Sequence, residues 1–482
     1  MNIQSIRYRL GLICVLEALV LFLPFFLAVF FREGWSSYRA YLIPISILLL
    51  VAVLATRKKP KSEAFYAKEG FVFCALTWFV LAFGGAWPFV IQGSIPKFYD
   101  AFFEMASGFT TTGASILRDV EALPQSLLFW RSFSHLIGGM GVLVFAIAIL
   151  SQGDNSSIHA IKAEVPGPSF GKLVSKMRDT ARWLYLIYLA MMLGLLLILC
   201  LCGMSLFDAC IYAFGTAGTG GFANYSDSLA HFHSPLIEWV IAFGMLLFGV
   251  NFNLYFLIVM RQGKKALRSE ELRWYIGIVI AATVAICFLL APRYTQLEPL
   301  LRDSFFTVAT VISTTGFGTV DFAVWPLAAR VILLFLMFTG ACAGSTAGGF
   351  KIARVALLTK SAGSEVQRQI KPRHLRPTYF EGHHVTEKMI SSVAHYFMLY
   401  TICFAVLVFL VSIDSPDIET AIGAVSATFN NIGPGLSAVG PTQNYADFTP
   451  FSKLCLSFGM IAGRLEILPV LIFFSPHTWK RV

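Results

Sequence analysis

Residues 100–115 read DAFFEMASGFTTTGAS, and three later stretches repeat their layout. These are DACIYAFGTAGTGGFA at 208–223, DSFFTVATVISTTGFG at 303–318 and TAIGAVSATFNNIGPG at 420–435. Each places a small capping residue thirteen positions before a glycine, and the four pairs are Asp100 and Gly113, Asp208 and Gly221, Asp303 and Gly316, and Thr420 and Gly433. The spacing predicts about three turns of capped helix, followed by a glycine-bearing stretch whose backbone is not helical. Because a repeated folding unit decides the architecture, the pattern predicts one pore built from four similar loops.

The composition is that of a membrane protein. Of the 482 residues, 57% are hydrophobic and 13% are charged, whereas a soluble domain carries about 25% charge. Apolar runs recur over the whole length, so a single signal peptide does not explain them. The nine cysteines are scattered without a CxxC pair, and we interpret them as small core residues, not as a zinc site or a disulfide framework.

Apolar segments long enough to span a membrane are predicted at about 10–31, 40–56, 70–92, 126–151, 182–203, 235–260, 273–292, 325–360, 388–413 and 451–475. The four repeated stretches fall between spans and are too short to cross. We therefore expect them to be re-entrant pore helices. The predicted chain consists of two leading spans followed by four span–loop–span units.

The distribution of charge predicts the orientation. One set of alternating segments comprises 1–9, 56–69, 152–182, 261–273, 351–388 and 477–482. This set holds 27 of the 37 Lys and Arg residues but 10 of the 27 Asp and Glu residues, which leaves 10 basic and 17 acidic residues elsewhere. By the positive-inside rule, this set and both termini are cytoplasmic, and the four loops enter from the outer face. The basic excess is thus a topology signal, and no nucleic-acid partner is expected.

The predicted loops offer a cation two kinds of stabilisation. A pore helix that starts on the outer side points its partly negative C-terminal end at the membrane centre. Glycine then permits backbone angles that turn consecutive carbonyls to one side, so that four strands can replace the hydration shell of an ion. The glycine segments, as we call these strands, are 110–113, 219–221, 313–316 and 430–433, and none contains an acidic residue. Carbonyl ligands of this kind favour a large monovalent cation over calcium or magnesium.

The motifs TTTGAS, GTGGFA, STTGFG and NNIGPG, the two leading spans and GSTAGGFK together resemble TrkH, the membrane subunit of the bacterial Trk potassium uptake system. That family lies in the TrkH/TrkG/KtrB/HKT superfamily of potassium transporters. The resemblance covers essentially the whole chain. It implies an all-α integral membrane protein with two leading transmembrane helices and four helix–pore loop–helix repeats around a pseudo-fourfold pore. The implied divisions are a two-helix N-terminal domain at 1–69 and pore repeats at 70–181, 182–272, 273–387 (with an intramembrane gating loop) and 388–482.

The resemblance also implies where potassium binds. Filter glycines would be Gly113, Gly221, Gly316 and Gly433, and potassium would contact backbone oxygens of Thr111, Thr112, Thr219, Gly220, Thr314, Thr315, Asn431 and Ile432. The fourth copy departs most from the pattern, since it has Asn431-Ile432 in place of Thr-Thr and Pro434 after the glycine.

A run of small residues, Gly340 to Gly349, interrupts the eighth span and makes a continuous helix costly. Two interpretations stay open from the residues alone, which are close helix packing and non-helical backbone lining a cavity. The family resemblance implies the second, an intramembrane gating loop beneath the filter. Its predicted gating residues are Gly344, Ser345, Thr346, Ala347, Gly348, Gly349 and Lys351.

Arg464 is a charged residue in the apolar stretch LSFGMIAGRLEILPVLI. Such residues are energetically expensive in a span and are usually functional, although a structural ion pair is the alternative. Glu466 is two positions away and does not share a helix face with it. By resemblance, Arg464 lies near the ion path, and our hypothesis is that it raises the barrier to cations in the resting state.

These observations predict potassium uptake across the bacterial inner membrane through a gated pore. Potassium is the transported ion, no cofactor for catalysis is expected, and no nucleophile–base constellation indicates an enzyme. The resemblance implies a TrkA-like cytosolic nucleotide-binding regulatory subunit and a homodimer in membrane lipid. The alternative is an alternating-access potassium or sodium symporter coupled to protons, which is usually built from inverted repeats. The four units here all start and end inside, which favours a channel-like pore.

Overall fold

The computed structural model describes residues 1–60, 66–141, 177–371 and 378–479. The regular secondary structure in this part of the chain is almost entirely helical, as the sequence predicts. Among the described residues, the only strands are β1 (Tyr379–Phe380) and β2 (His383–His384), which form an antiparallel hairpin. They lie in the basic segment at 351–388, which was expected to face the cytoplasm.

The helices follow the predicted order. Two long helices, α1 (Ile3–Phe30) and α2 (Trp35–Thr56), lead the chain as a hairpin in which Gly11 lies against Thr56. A first group consists of α3 (Ala67–Gln92), α4 (Phe98–Phe109) and α5 (Gln125–Gly139). The second consists of α6 (Met177–Leu201), α7 (Leu206–Gly218), α8 (Pro235–Phe248), α9 (Phe252–Val259) and α10 (Gly263–Leu267).

The third group consists of α11 (Glu270–Leu290), α12 (Leu297–Ile312), α13 (Leu327–Thr339) and α14 (Ile352–Ile370). The fourth consists of α15 (Glu387–Val411), α16 (Ile418–Phe429), α17 (Pro450–Arg464), α18 (Leu468–Phe474) and α19 (Pro476–Trp479). Short 3₁₀ turns occur at Ser228–Phe232, Ala291–Arg293, Phe322–Val324 and Ser437–Val439.

Fewer helices cross in one piece than the ten predicted spans require. Six described helices are long and apolar enough to cross a membrane, and two bent pairs raise the number to eight. The chain bends by 89° between α8 and α9 and by 120° between α17 and α18, so the spans predicted at 235–260 and 451–475 are broken. At the first bend Asn251 caps the new helix by accepting the N–H of Asn253 at 3.0 Å. At the second bend Glu466 and Ile467 have φ values of +56° and +64°, which a helix does not allow.

Two further predicted spans are not described as single continuous helices. The span predicted at 325–360 is interrupted between Thr339 and Ile352, where the sequence predicted a break. The span predicted at 126–151 begins as α5, but its second half lies outside the described residues, as does most of the segment 152–182 that we expected to be cytoplasmic.

The predicted N-caps are wrong. The short helices begin earlier than expected, and their N-caps are Lys97, Ser205, Gln296 and Asp417. Ser205 Oγ accepts the N–H of Asp208 at 3.1 Å, and Asp417 Oδ1 accepts the N–H of Thr420 at 2.7 Å. The predicted caps therefore occupy the third helical position, except Asp303, which lies one turn further into α12.

The short helices meet their neighbours in a cyclic order. The helix after each short helix packs against the short helix of the next group, as α5 does on α7, α8 on α12 and α13 on α16. The series closes because α17 packs on α4. Ion pairs cross three of these four contacts, between Arg302 and Glu238, Arg330 and Glu419, and Lys453 and Asp100. Charges within apolar helices are thus paired at the joints between groups, where each has an opposite partner.

Candidate ion pore

The four glycine segments share one backbone conformation. Two positions before each glycine the chain is left-handed, with φ of +55° at Thr111, +54° at Thr219, +58° at Thr314 and +56° at Asn431. The glycines are also left-handed, with φ of +80° at Gly113, +77° at Gly221, +86° at Gly316 and +95° at Gly433. Only glycine adopts such angles freely, and non-glycine residues do so rarely. The fourth segment, in which Asn431 and Ile432 replace two threonines, therefore has the same backbone as the others.

Each short helix ends in the same hydrogen-bond pattern. The residue before each glycine donates its N–H to a carbonyl five positions back, from Thr112 to Ser107 at 2.9 Å, Gly220 to Gly215 at 2.8 Å, Thr315 to Thr310 at 2.9 Å and Ile432 to Ala427 at 2.7 Å. This is the arrangement by which a left-handed residue closes a helix C-terminus. The partly negative ends of four helices consequently lie directly beside the glycine segments.

The glycine segments lie against one another in a closed ring. A methyl group built on Gly113 would lie 2.0 Å from the carbonyl oxygen of Gly220, and one on Gly221 would lie 2.1 Å from that of Thr315. A methyl group built on Gly316 would lie 2.0 Å from Ile432 O. One built on Gly433 would lie 2.6 Å from Thr112 O, which closes the series. Every glycine thus faces the carbonyl that precedes the glycine of the next segment, and a side chain there would collide with it.

A polar cavity of about 130 Å³ opens where the chain leaves this ring. All four glycines line it, together with residues that follow them, including Ser115, Phe222, Gly318 and Tyr445. Tyr445 also donates its hydroxyl to Gly433 O at 2.8 Å. The cavity therefore forms a shared mouth to which each of the four segments contributes.

His135 is a residue of this site that sequence reasoning missed. It lies on α5, is fully buried, and its ring is packed against Gly220. Its Nδ1 is 2.7 Å from Gly108 O, and its Nε2 accepts the N–H of Phe222 at 3.2 Å. The two ring nitrogens therefore connect the C-terminal turn of α4 to the residue that follows the second glycine segment. A lone histidine inside an apolar span was the available signal.

The interrupted part of the third group, residues 340–351, contacts the ring on the side away from the mouth cavity, which we call the side beneath the ring. Its backbone is left-handed at Gly340, Gly344 and Gly349, and Gly340 packs directly on Gly349. Its N–H groups bond to three other parts of the protein besides α13, from Ala343 to Glu271 Oε1 at 2.6 Å, from Cys342 to Gly249 O at 3.1 Å and from Gly348 to Thr314 Oγ1 at 2.7 Å. Most predicted gating residues, Gly344, Ser345, Thr346, Ala347, Gly348 and Gly349, therefore lie in one loop held by its neighbours.

Gly348 brings this loop into contact with the fourth glycine segment. A methyl group on Gly348 would lie 2.3 Å from Asn430 O and 3.0 Å from the Cβ of Asn431. The loop thus touches the third segment through Thr314 and the fourth through Asn430. Glu271, which holds Ala343, was also missed from the sequence, because nothing there distinguishes it from an ordinary acidic residue in the first turn of a helix.

Arg464 lies where the loop meets the first group. Its guanidinium donates to Thr346 O at 2.6 Å and to the carbonyls of Gly138 and Gly139 at 2.7 Å. It thereby connects α17, the loop and the end of α5. Glu466 does not pair with it in these contacts and instead binds Arg354 at 2.6 Å. The two residues do point apart, but their spacing on a helix is not the reason, because α17 ends at Arg464 and Glu466 is left-handed.

Lys351 ends the loop in a buried position. Lys351 as a whole is 2% exposed. Its ammonium group donates a hydrogen bond to Ala347 O within the loop. Within the described part of the chain, no group of three or more His, Cys, Asp or Glu side chains is arranged to hold a metal ion. The oxygen atoms that the glycines of the ring face are backbone carbonyls.

Comparisons with known proteins agree on one family. A family model described as "TrkH: Cation transport protein" matches residues 40–481. The chain is 34% identical over 488 residues to Trk system potassium uptake protein TrkH of Salmonella typhimurium, covering 100% of both sequences. It is 32% identical over 487 residues to Trk system potassium uptake protein TrkG of Escherichia coli K12, covering 99% of each. The crystal structure of the potassium transporter TrkH from Vibrio parahaemolyticus matches with a TM-score of 0.88 and 30% identity over 100% of both chains.

Proposed function

The chain belongs to the TrkH family of cation transport proteins, and from this we propose that it takes up potassium through one gated pore whose filter is the ring of glycine segments. Its curated relatives are named as potassium uptake proteins, and its activity is transport, not catalysis. The proposed filter residues are Thr111, Thr112, Gly113, Thr219, Gly220, Gly221, Thr314, Thr315, Gly316, Asn431, Ile432 and Gly433.

The closed ring of glycines and carbonyls is the observation that carries this proposal. Each of Gly113, Gly221, Gly316 and Gly433 lies against a carbonyl of the following segment, so four carbonyl-bearing strands surround one axis. Carbonyls arranged in this way can replace the hydration shell of potassium. Four helix C-termini at the ring add favourable potential for a cation without any buried carboxylate.

The loop at 340–351 is the proposed gate. It lies beneath the third and fourth segments and bonds to Thr314 of the ring. Arg464 donates to this loop from a position beside the ring. A fixed positive charge below a cation filter raises the energy of a cation that passes it. Opening would therefore require the loop and Arg464 to move away from the axis.

The proposed setting is the bacterial inner membrane, with both termini cytoplasmic and the filter open to the outside. The divisions are the two-helix domain at 1–69 and four pore repeats at 70–181, 182–272, 273–387 and 388–482. We further propose regulation by a TrkA-like nucleotide-binding subunit and assembly as a homodimer. The relatives' names, which refer to a Trk system, and the basic segments on the cytoplasmic side support a separate partner.

Flux through the purified protein in proteoliposomes tests the function. Potassium, rubidium and sodium uptake would be measured with and without the nucleotide-binding partner, and empty liposomes would serve as the control. We expect potassium and rubidium to pass in preference to sodium, and the partner with nucleotide to change the rate. Single-channel recording separates a pore from alternating access, since unitary currents far above carrier turnover require a continuous path. Equal sodium and potassium flux would overturn the proposed filter.

A further inference from the structure

A buried ion pair lies beside the mouth of the ring. Arg131 of α5 and Glu104 of α4 are 2% and 0% exposed, and Arg131 Nε donates to Glu104 Oε1 at 2.8 Å. Burying two charges is costly unless they are paired and their remaining hydrogen-bonding groups are satisfied. The contacts of both side chains therefore indicate what the pair is built to hold.

Glu104 holds the strand that leaves the first glycine segment. Its Oε2 accepts the N–H of Ile116 at 3.0 Å, and its Oε1 accepts the hydroxyl of Ser115 at 3.0 Å. Ser115 and Ile116 follow Gly113 by two and three positions in the sequence. The carboxylate thus determines where the chain goes immediately after the first filter glycine.

Arg131 holds the corresponding strand of the second segment. Its Nη1 donates to Ala223 O at 3.3 Å, and the guanidinium lies 4.1 Å from the centre of the Phe222 ring. Its Nη2 also donates to Ser115 Oγ at 3.3 Å. Phe222 and Ala223 directly follow Gly221. One ion pair therefore fixes the outgoing strands of two adjacent segments relative to each other.

The charge of Arg131 matters as well as its shape, since Arg131 lines the mouth cavity through which a cation would enter. Paired with Glu104, it presents little net charge to that cavity. Without the carboxylate, a buried guanidinium would stand unpaired at the mouth, and its field would oppose an approaching cation.

We propose that Glu104 and Arg131 are positioning residues that set the spacing of the outer filter strands of the first two segments and thereby determine the preference for potassium over sodium. This inference rests on the proposed function of the ring. The ion pair between Arg302 and Glu238 offers a matched comparison, since it also links two helices through a largely buried arginine and glutamate, whereas the described ion pairs of Arg302 involve no glycine segment.

The test uses the full-length protein in proteoliposomes with Glu104→Gln, Arg131→Lys and the double variant. The readouts are the potassium-to-sodium flux ratio and the potassium concentration that gives half-maximal flux. We expect each single change to lower the ratio at least roughly tenfold, which corresponds to about 1.4 kcal/mol. Glu104→Gln should also raise the half-maximal concentration. The double variant should lower the flux ratio no more than the more damaging single change does, because both residues act in one network.

The double variant Arg302→Gln/Glu238→Gln is the control, and it should lower the melting temperature without moving the ratio. Should the Glu104 or Arg131 variants fail to fold, Ser115→Ala and Phe222→Leu keep both charged side chains and weaken the hold of the pair on the first and second outgoing strand respectively, and they should still lower the ratio. An unchanged ratio in every folded variant would overturn the inference. Absence of potassium-selective flux in the unmodified protein would instead overturn the proposed function.

Discussion

Replacing Gly316 with alanine tests the ring most directly. A Cβ at this position would lie 2.0 Å from Ile432 O, whereas real Cβ atoms essentially never approach within 3.0 Å, so the carbonyl must retreat by the difference. Gly316 also has φ of +86°, where a side chain costs about 1–2 kcal/mol. Overpacking adds about 1–3 kcal/mol. Strain of about 2–5 kcal/mol is therefore relieved only by moving a carbonyl that is proposed to contact potassium.

We expect Gly316→Ala to lower the potassium-to-sodium flux ratio at least roughly tenfold, which corresponds to about 1.4 kcal/mol. Equal concentrations of the two ions in proteoliposomes would give the ratio. Gly433→Ala should lower the ratio less, because its Cβ would lie 2.6 Å from the nearest carbonyl oxygen, compared with 2.0 Å at Gly316. The control is Gly277→Ala on α11, where no atom lies within 4 Å and the ratio should not change. An unchanged ratio for Gly316→Ala, or a larger fall in the ratio for Gly433→Ala, would show that these glycine–carbonyl contacts do not determine the ratio.

Three further changes concern the loop beneath the ring. Arg464→Ala removes hydrogen bonds of a charged donor to three carbonyls, each of about 1.5–3 kcal/mol, and should raise resting potassium flux at least roughly tenfold. Thr314→Val leaves the buried N–H of Gly348 without its acceptor at a cost of about 1–3 kcal/mol, so resting flux should rise about fivefold. Glu271→Gln replaces a charge-assisted bond to Ala343 by a neutral one of about half the strength, and it should give a smaller increase of about twofold.

Conservative variants serve as controls for this set. Arg464→Lys keeps the positive charge and should retain most of the resting barrier. Thr314→Ser keeps the hydroxyl acceptor and should behave as the unmodified protein does. If Arg464→Ala or Thr314→Val leaves resting flux unchanged, the loop does not limit flux at rest. A larger increase in resting flux from Glu271→Gln than from Arg464→Ala would contradict this order of hydrogen-bond strengths.

Local patterns were enough to predict the helical membrane fold and the position of the glycines. Apolar runs and glycine spacing are visible within a few tens of residues, and the glycines do have positive φ. The N-caps were misplaced because the spacing was counted back from the glycine. The better signals were Ser205 and Asp417, whose side chains bond three residues ahead, whereas Lys97 and Gln296 form no side-chain cap at all.

Local sequence patterns could not predict the bends within the spans or the side-chain contacts between helices. The hydropathy of a segment does not indicate whether its helix is straight or bent. The apolar residues around Arg464 therefore gave no sign of the 120° bend that follows it, where two non-glycine residues are left-handed. Partners such as Glu104 for Arg131, or Gly108 for His135, come from different helices. An isolated charge such as Arg464 in an apolar span indicates that a partner exists, but only the fold determines which group it is.

The ring closes in chain order, and this has a consequence for biosynthesis. Contacts run from each segment to the next one synthesised, and only the last of them returns to the start, from Gly433 to Thr112. A nascent chain that has not yet inserted α16 therefore holds three segments with an open side. Such an intermediate has no complete set of carbonyls around the axis, so the proposed filter would be incomplete until the fourth glycine segment has been made and inserted.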